Sequence, residues 1–444
     1  MPRIRDLVNQ ADAYRTCLAN RNALAILPHF EEGLKLFYDL KKNRTLYQEL
    51  RTKVNKLSAE YFKTKNEQLA EQSRAMKDAL KAAEEEERLL AEKQTKLETV
   101  LPNWHDPRVP VGAGDDLEKP LRYGRAPRVW REHAAEFDRL YPGAAHDVTD
   151  EKPYHHYEMV GTLVDQERGG DVAQSRFYYE LDELVALDLA LSLYSVEFFR
   201  GRGWNRLMIP PYMMRRAVEE KTTYYEAFED TIFEIEKDEL ILIPSSEHPI
   251  LAYFAERTFP AADLPVRVTA WSPCFRREAG AHGKDTRGIF RVRQFHKTEL
   301  HAVVKEGEDL AEVDRCCRDI EAFLDSLALP HRTVIVPTGD MDKRALLQLD
   351  VQTWMPGQGR YRETNSVATI GTWGSEKWAI RYKTEDERKI LVRNIYATGV
   401  AVQRMLCAIM ENHFDPANAT VRIPPALLKY TLGIERIPAP RVAE

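Results

Sequence analysis

The sequence predicts an α+β protein: an N-terminal antiparallel helical hairpin, a short linker, and a domain in which helices flank an antiparallel sheet. Three observations carry this. Residues 30–101 hold no proline and a single glycine, Gly33, and are rich in Lys, Glu, Leu and Ala. Pro102, Pro107 and Pro110 then end any helix, since proline lacks the donor N–H and clashes with the preceding turn. Beyond residue 126, strand-like runs follow one another with few helices between, which favours an antiparallel sheet over a doubly wound one. The resulting organisation is a hairpin domain over 1–110, a linker over 111–125 and a globular domain over 126–444.

Within the hairpin, Leu40, Tyr47, Val54 and Tyr61 are seven apart, and so are Leu36, Asn43, Leu50 and Leu57. Two rows offset by four residues make a heptad seam. Leu69, Met76, Ala83, Leu90 and Leu97 form a row in a second stretch, with Leu80 and Leu101 as part of its companion. Lys63-Thr64-Lys65-Asn66 is the most polar break between them, and Asn66 suits a helix cap. Asn43, polar in a seam position, reads as a register device. The arms, 30 to 35 residues each, give a rod of roughly 45–50 Å at 1.5 Å per residue. In the globular part the pattern predicts helices over 181–200, 308–327 and 400–411. It predicts strands over 205–211, 231–235, 239–243, 266–271, 289–295, 299–304, 332–336 and 378–382.

Composition narrows the function. Apolar residues are 43% of the 444 and charged residues 30%, enough for a large core. Sixty-four Lys plus Arg against 70 Asp plus Glu leave a net charge of −6, which excludes a uniformly basic nucleic-acid binder but not a local basic patch. The five cysteines show no CxxC pair or zinc spacing, so no zinc is expected and a reducing cytoplasm fits best. No apolar stretch at the N-terminus resembles a signal peptide. The most apolar helix is interrupted by Asp188 and Glu197, so no membrane span is expected.

Chemistry concentrates in the run Cys274 to Phe295. It holds three glycines and a cluster of guanidiniums, Arg276, Arg287, Arg291 and Arg293, between two strand-like ends. Planar guanidiniums bind phosphates through paired, charge-assisted bonds, so the run suits a polyphosphate; a solvated basic hairpin is the alternative. GxGxxG and GxxxxGK[ST] are both absent, so any nucleotide is held some other way.

Phe275-Arg276-Arg277-Glu278-Ala279-Gly280, Asp285-Thr286-Arg287-Gly288 and Gln294-Phe295-His296-Lys297 with Glu299 resemble the second signature motif of seryl-tRNA synthetases, which are class II aminoacyl-tRNA synthetases. Ile243 to Glu247, Trp354 to Gly359 with Tyr361-Arg362-Glu363, and Gly399 to Arg404 leading into Asn412 resemble further family segments in order. Pro210 resembles the first-motif proline at a dimer interface. The resemblance implies a class II catalytic domain that uses ATP and Mg²⁺ to convert serine, or a related small amino acid, to its adenylate. The acyl group then passes to the 3′ end of tRNA, which the hairpin grips across a homodimer.

By position, the resemblance makes Arg276 and Arg404 catalytic. It assigns ATP to Arg276, Arg277, Glu278, Val292, Phe295, Glu363, Thr364, Asn365, Ser366 and Arg404, and Mg²⁺ to Glu363 and Ser366. The amino acid falls to Ser245, Ser246, Glu247, Arg276, Glu299 and Thr398. The chain departs from the family at Thr369, Thr372, Gly374 and Glu376, where the pattern carries Asn, Asp, Gln and Arg, and at Arg293 and Tyr396, where it carries His and Asn. These changes are expected around the amino acid pocket and its support. They keep two alternatives open: a paralogue with another amino acid or acceptor, and a non-catalytic tRNA-binding regulator.

Overall fold

The computed structural model describes residues 2–225, 229–278 and 287–438. The motif residues Ala279, Gly280, Asp285 and Thr286 lie outside them. The chain forms two compact units, Met1–Trp104 and His105–Glu444.

In the first unit, helix α1 (Leu27–Thr64) and helix α2 (Glu67–Thr99) run antiparallel. The turn falls where the polar break predicts it. Lys65 adopts φ 52° and stops α1, and Asn66 Oδ1 accepts the Gln68 amide at 3.0 Å to start α2. Leu36, Leu40, Asn43 and Val54 of α1 and Ser73 and Ala83 of α2 are buried in the seam. The outer faces are tied by ion pairs such as Arg44–Glu87 and Glu32–Lys93, each at 2.7 Å. Periodicity did not reveal the base of the rod. There Ile4, Leu7, Tyr14, Leu18, Phe30 and Leu101 form a small core. Gly33 is required at that base, because a Cβ would stand 2.7 Å from Ile4 Cδ1.

The second unit is built on an eight-stranded sheet. Its strands are β1 (Lys119–Tyr123), β2 (Arg206–Met208), β3 (Val266–Phe275), β4 (Gln294–Val304), β5 (His331–Ile335), β6 (Leu347–Met355), β7 (Arg360–Gly371) and β8 (Arg393–Ala401). The spatial order is β1-β5-β6-β7-β8-β4-β3-β2. Every neighbouring pair is antiparallel except β3 with β2. Because strand side chains alternate, the sheet has two different faces. Leu300, Ala302 and Val304 of β4 join the main core with helices α3 (Asp182–Gly201), α4 (Asp309–Ser326) and α5 (Val402–His413). Lys297 and Glu299 of the same strand point the other way, into a cavity.

Several sequence expectations are corrected. The stretch read as a linker, 111–125, contains edge strand β1. The strands expected at 289–295 and 299–304 are one strand, β4; Ile289, Phe290 and Val292 are apolar because they are buried, without sheet pairing. At 378–382, Trp378 ends a short helix, Trp373–Trp378, which Ala379 terminates at φ 54°, and the strand is Arg381–Lys383.

Candidate active site

A cavity of about 300 Å³ opens on the polar face of the sheet. Residues from 244 to 404 line it, so it exists only once the sheet has formed. Arg276 enters from the end of β3, with Nε 3.2 Å from the Pro244 carbonyl and its guanidinium 5.4 Å from the Phe295 ring centroid. Glu278 sits at φ 51°, its carboxylate bonded to Arg291 and its carbonyl receiving Arg176 Nη1 at 3.0 Å. Arg404, in the first turn of α5, donates from Nη1 to the Glu363 carbonyl at 2.9 Å and lies 3.2 Å from its carboxylate. The same guanidinium lies 5.1 Å from the centroid of the Phe290 ring. One wall thus carries three arginines, Arg276, Arg291 and Arg404, together with two aromatic rings, which suits a planar base with phosphates attached.

Deeper in the cavity the groups change. Ser245 Oγ accepts Lys297 Nζ at 2.8 Å, and Lys297 pairs with Glu299. Burial pushes the Glu299 carboxyl up to about 7 against the pull of Lys297. Glu247 Oε1 receives Arg344 Nη1 at 2.8 Å. Thr398 completes this end.

Most of the residues singled out in the sequence line this one cavity: Ser245, Glu247, Arg276, Glu278, Val292, Phe295, Glu299, Glu363, Thr364, Ser366, Thr398 and Arg404. Three do not. Arg277 is exposed, with its amide bonded to the Thr231 carbonyl at 2.8 Å. Ser246 is buried at the start of the helix Glu247–Tyr253. Asn365 is buried and donates to the Gly399 carbonyl at 2.7 Å, pinning β7 to β8. Of the departures from the family pattern, Tyr396 alone reaches the cavity lining. Thr369 instead donates to Asp309 at 3.1 Å, and Arg293 donates to Gln174 at 2.8 Å. The changes are expected around the pocket and its support; Tyr396 lies in the lining, and the others named here lie behind it or beside it. Phe290, Asp342, Arg344 and Gln348 also line the cavity. No periodicity marks them, since they are single side chains on a loop, a turn and a strand end.

Glu363 and Ser366 fit Mg²⁺. Both present hard oxygens, and this ion takes its remaining ligands from phosphate and water. Gln348 Nε2 holds Ser366 Oγ at 3.2 Å. Nearby, burial and the charge of Glu363 push the Asp350 carboxyl up to about 8. Among the described residues no group of three or more His, Cys, Asp or Glu side chains could hold a metal ion.

Comparison with known proteins agrees with this geometry. The family model of the class II core domain of tRNA synthetases (G, H, P, S and T) matches residues 230–413. The serine–tRNA ligase of Pyrococcus horikoshii is 36% identical over 430 residues, covering 95% of this chain and 94% of its own. That of Ignicoccus hospitalis is 38% identical over 346 residues, covering 76% and 75%. The crystal structure of the Pyrococcus horikoshii seryl-tRNA synthetase complexed with ATP superposes with a TM-score of 0.94 at 35% identity, covering 99% of this chain and 100% of that one. The cytoplasmic serine–tRNA ligase of Naegleria fowleri in complex with AMP gives 0.83 at 25% identity, covering 97% and 96%. With its sheet, its cavity and these relatives in agreement, the chain belongs to the serine–tRNA ligase family, enzymes built on the class II synthetase core.

Proposed function

We propose that the protein activates serine with ATP and transfers the seryl group to the 3′ end of a tRNA. A serine carboxylate oxygen attacks the α-phosphorus and pyrophosphate leaves; a tRNA ribose hydroxyl then displaces AMP from the acyl carbon. The observation that carries this reading is that Arg276 touches both ends of the cavity: its guanidinium lies 5.4 Å from the Phe295 ring centroid, and its Nε lies 3.2 Å from the carbonyl of Pro244, next to Ser245. The carboxylate and the α-phosphate repel each other, and a fixed guanidinium between them offsets that repulsion and steadies the charge that builds on phosphorus. Phe295 supports the base, while Glu278 and Arg404 orient the nucleotide. Glu247, Glu299 and Thr398 receive the amino group and hydroxyl of serine. Glu363 and Ser366 would hold Mg²⁺, which supplies positive charge to the departing phosphates.

The hairpin is the tRNA-binding arm. Its distal half, residues 51–81, carries eight Lys or Arg against four Asp or Glu, whereas the remainder of α1 and α2 carries seven against ten. A basic patch on an acidic chain is the electrostatic footprint of a nucleic-acid partner. A homodimer is supported by Val185, Leu189 and Leu193, exposed at four-residue spacing along α3, and by Ile209, 69% exposed beside Pro210. The five buried free thiols suit a reducing, cytoplasmic compartment. No helix among the described residues is long and apolar enough to cross a membrane.

Pyrophosphate exchange with each amino acid, followed by tRNA charging, tests the reading. Serine-dependent exchange with charging is the expected result. Exchange with another amino acid, or without charging, replaces it by the paralogue reading, and no exchange at all leaves a tRNA-binding regulator. The relatives favour neither alternative. Changing Lys53, Lys56, Lys63 and Lys65 to Glu should abolish tRNA binding and spare exchange; unchanged tRNA affinity removes the role of the arm.

A further inference from the structure

One buried charged group of the cavity is supplied by none of the segments that resemble the family motifs. Arg344 is 2% exposed. Its Nε donates to both Asp342 oxygens at 3.1 Å, and its Nη2 to Asp342 Oδ2 at 2.5 Å. From Nη1 it reaches Glu247 Oε1 at 2.8 Å and the Thr222 carbonyl at 3.3 Å. The guanidinium lies 5.1 Å from the Tyr396 ring centroid and 5.8 Å from that of Trp373. The Tyr396 hydroxyl donates to Asp342 Oδ2 at 2.9 Å, closing the loop of contacts. Burial drives the Asp342 carboxyl up, yet Arg344 and the Tyr396 hydroxyl hold it down at about 2, so the anchor stays ionised.

We propose that Arg344 is a positioning residue for amino acid binding: anchored by Asp342 and Tyr396, it fixes the Glu247 carboxylate in the orientation that receives the substrate's amino group. This rests on the activation reading above. The physical argument concerns order and charge. A glutamate free to turn about its side-chain bonds must be ordered each time substrate binds, which weakens binding. Here the ordering is done on folding, because the guanidinium fork is rigid and already held on its other side. Arg344 also balances the charge of Glu247, which is itself buried. Tyr396, where the family pattern has Asn, is then a working part of the pocket: its hydroxyl secures Asp342 and its ring supports Arg344. The neighbouring run contributes too, for Trp373 packs near Arg344 and Lys377 lies 3.9 Å from the Trp373 ring centroid.

The test is serine-dependent pyrophosphate exchange with the full-length protein and Arg344→Met, Arg344→Lys and Tyr396→Phe. Arg344→Met should raise the KM for serine roughly tenfold or more and leave the KM for ATP within about twofold, the signature of lost substrate binding at one end of a site. Arg344→Lys should recover part of that loss, since it restores the charge without the fork. Equal rises in both KM values, or an unchanged KM for serine, overturn the proposal. If Arg344→Met does not fold, Tyr396→Phe decides: it keeps the ring and removes the bond to Asp342, so a raised KM for serine alone supports the proposal and an unchanged one overturns it. If wild-type exchange runs with another amino acid, the same KM comparison is made with that one. Wild-type protein that exchanges with no amino acid sinks the activation reading itself, and the role of Arg344 with it.

Discussion

The arm and the catalytic unit bury their side chains by different rules. In the arm, each buried residue meets neighbours three or four positions away and the facing helix, so the pattern repeats and any one position is one of many. In the catalytic unit, Ser245, Arg276, Glu299, Glu363 and Arg404 meet in one cavity from five separate segments. Their distances depend on the register of an eight-stranded sheet, including the register shift at Thr298/Glu299 in the β4–β8 pairing. A substitution of a buried residue in the arm should therefore act mainly on stability, and one in the cavity mainly on chemistry.

The sharpest separation should come from Arg276→Ala. Its side chain is half-buried at the cavity, so pyrophosphate exchange should fall roughly 10²–10³-fold while the melting temperature stays close to wild type. Exchange at the wild-type rate would break the assignment. Glu299 should link the cavity to pH. Burial raises its carboxyl to about 7 from an ordinary 4.5, so the folded state holds that proton more tightly than the unfolded chain. Its contribution to stability is full below pH 4.5 and is lost as pH rises through 7. Glu299→Gln should flatten that part of the melting-temperature profile, and an unchanged slope would place the ionisation elsewhere.

The arm should respond more modestly. Asn43 is buried in the seam with neither Nδ2 nor Oδ1 hydrogen-bonded. Asn43→Leu should stabilise the protein by about 1–2 kcal/mol without touching exchange; a lower melting temperature would show that Asn43 secures the register of the seam. Smallest of all, Asn66→Ala should cost about 1 kcal/mol through loss of its cap on α2. Chemical denaturation with exchange measured in parallel separates the two kinds of effect.

Much of this contrast was legible in the residues. The polar break at Lys63 to Asn66 located the turn because capping is a local matter. The apolar helix α3 was legible over 181–200 from its helical spacing and its acidic first turn, Asp182 and Glu183, which are local signals too. Strand β6 was not among the expected strands, although Gln348, Asp350 and Gln352 alternate with Leu347, Leu349 and Val351, the period of a half-buried strand. Arg276, Glu278, Phe295 and Arg404 of the cavity lining emerged from motif spacing, whereas Arg277, Ser246 and Asn365 carried the motif and yet stand outside the lining. Asn365 lies on β7 between Thr364 and Ser366, where adjacent residues point to opposite faces, so motif membership does not decide which side chain faces the cavity.

By itself the sequence determined the rod, its turn, the sheet-and-helix class and most of the side chains that line the cavity. Helical burial repeats every few residues, and motif chemistry is written in contiguous stretches. Only the tertiary structure decided that Arg344, Asp342 and Tyr396 stand behind Glu247. These groups are separated by up to 149 positions along the chain, and nothing short of sheet register brings such groups within hydrogen-bonding distance.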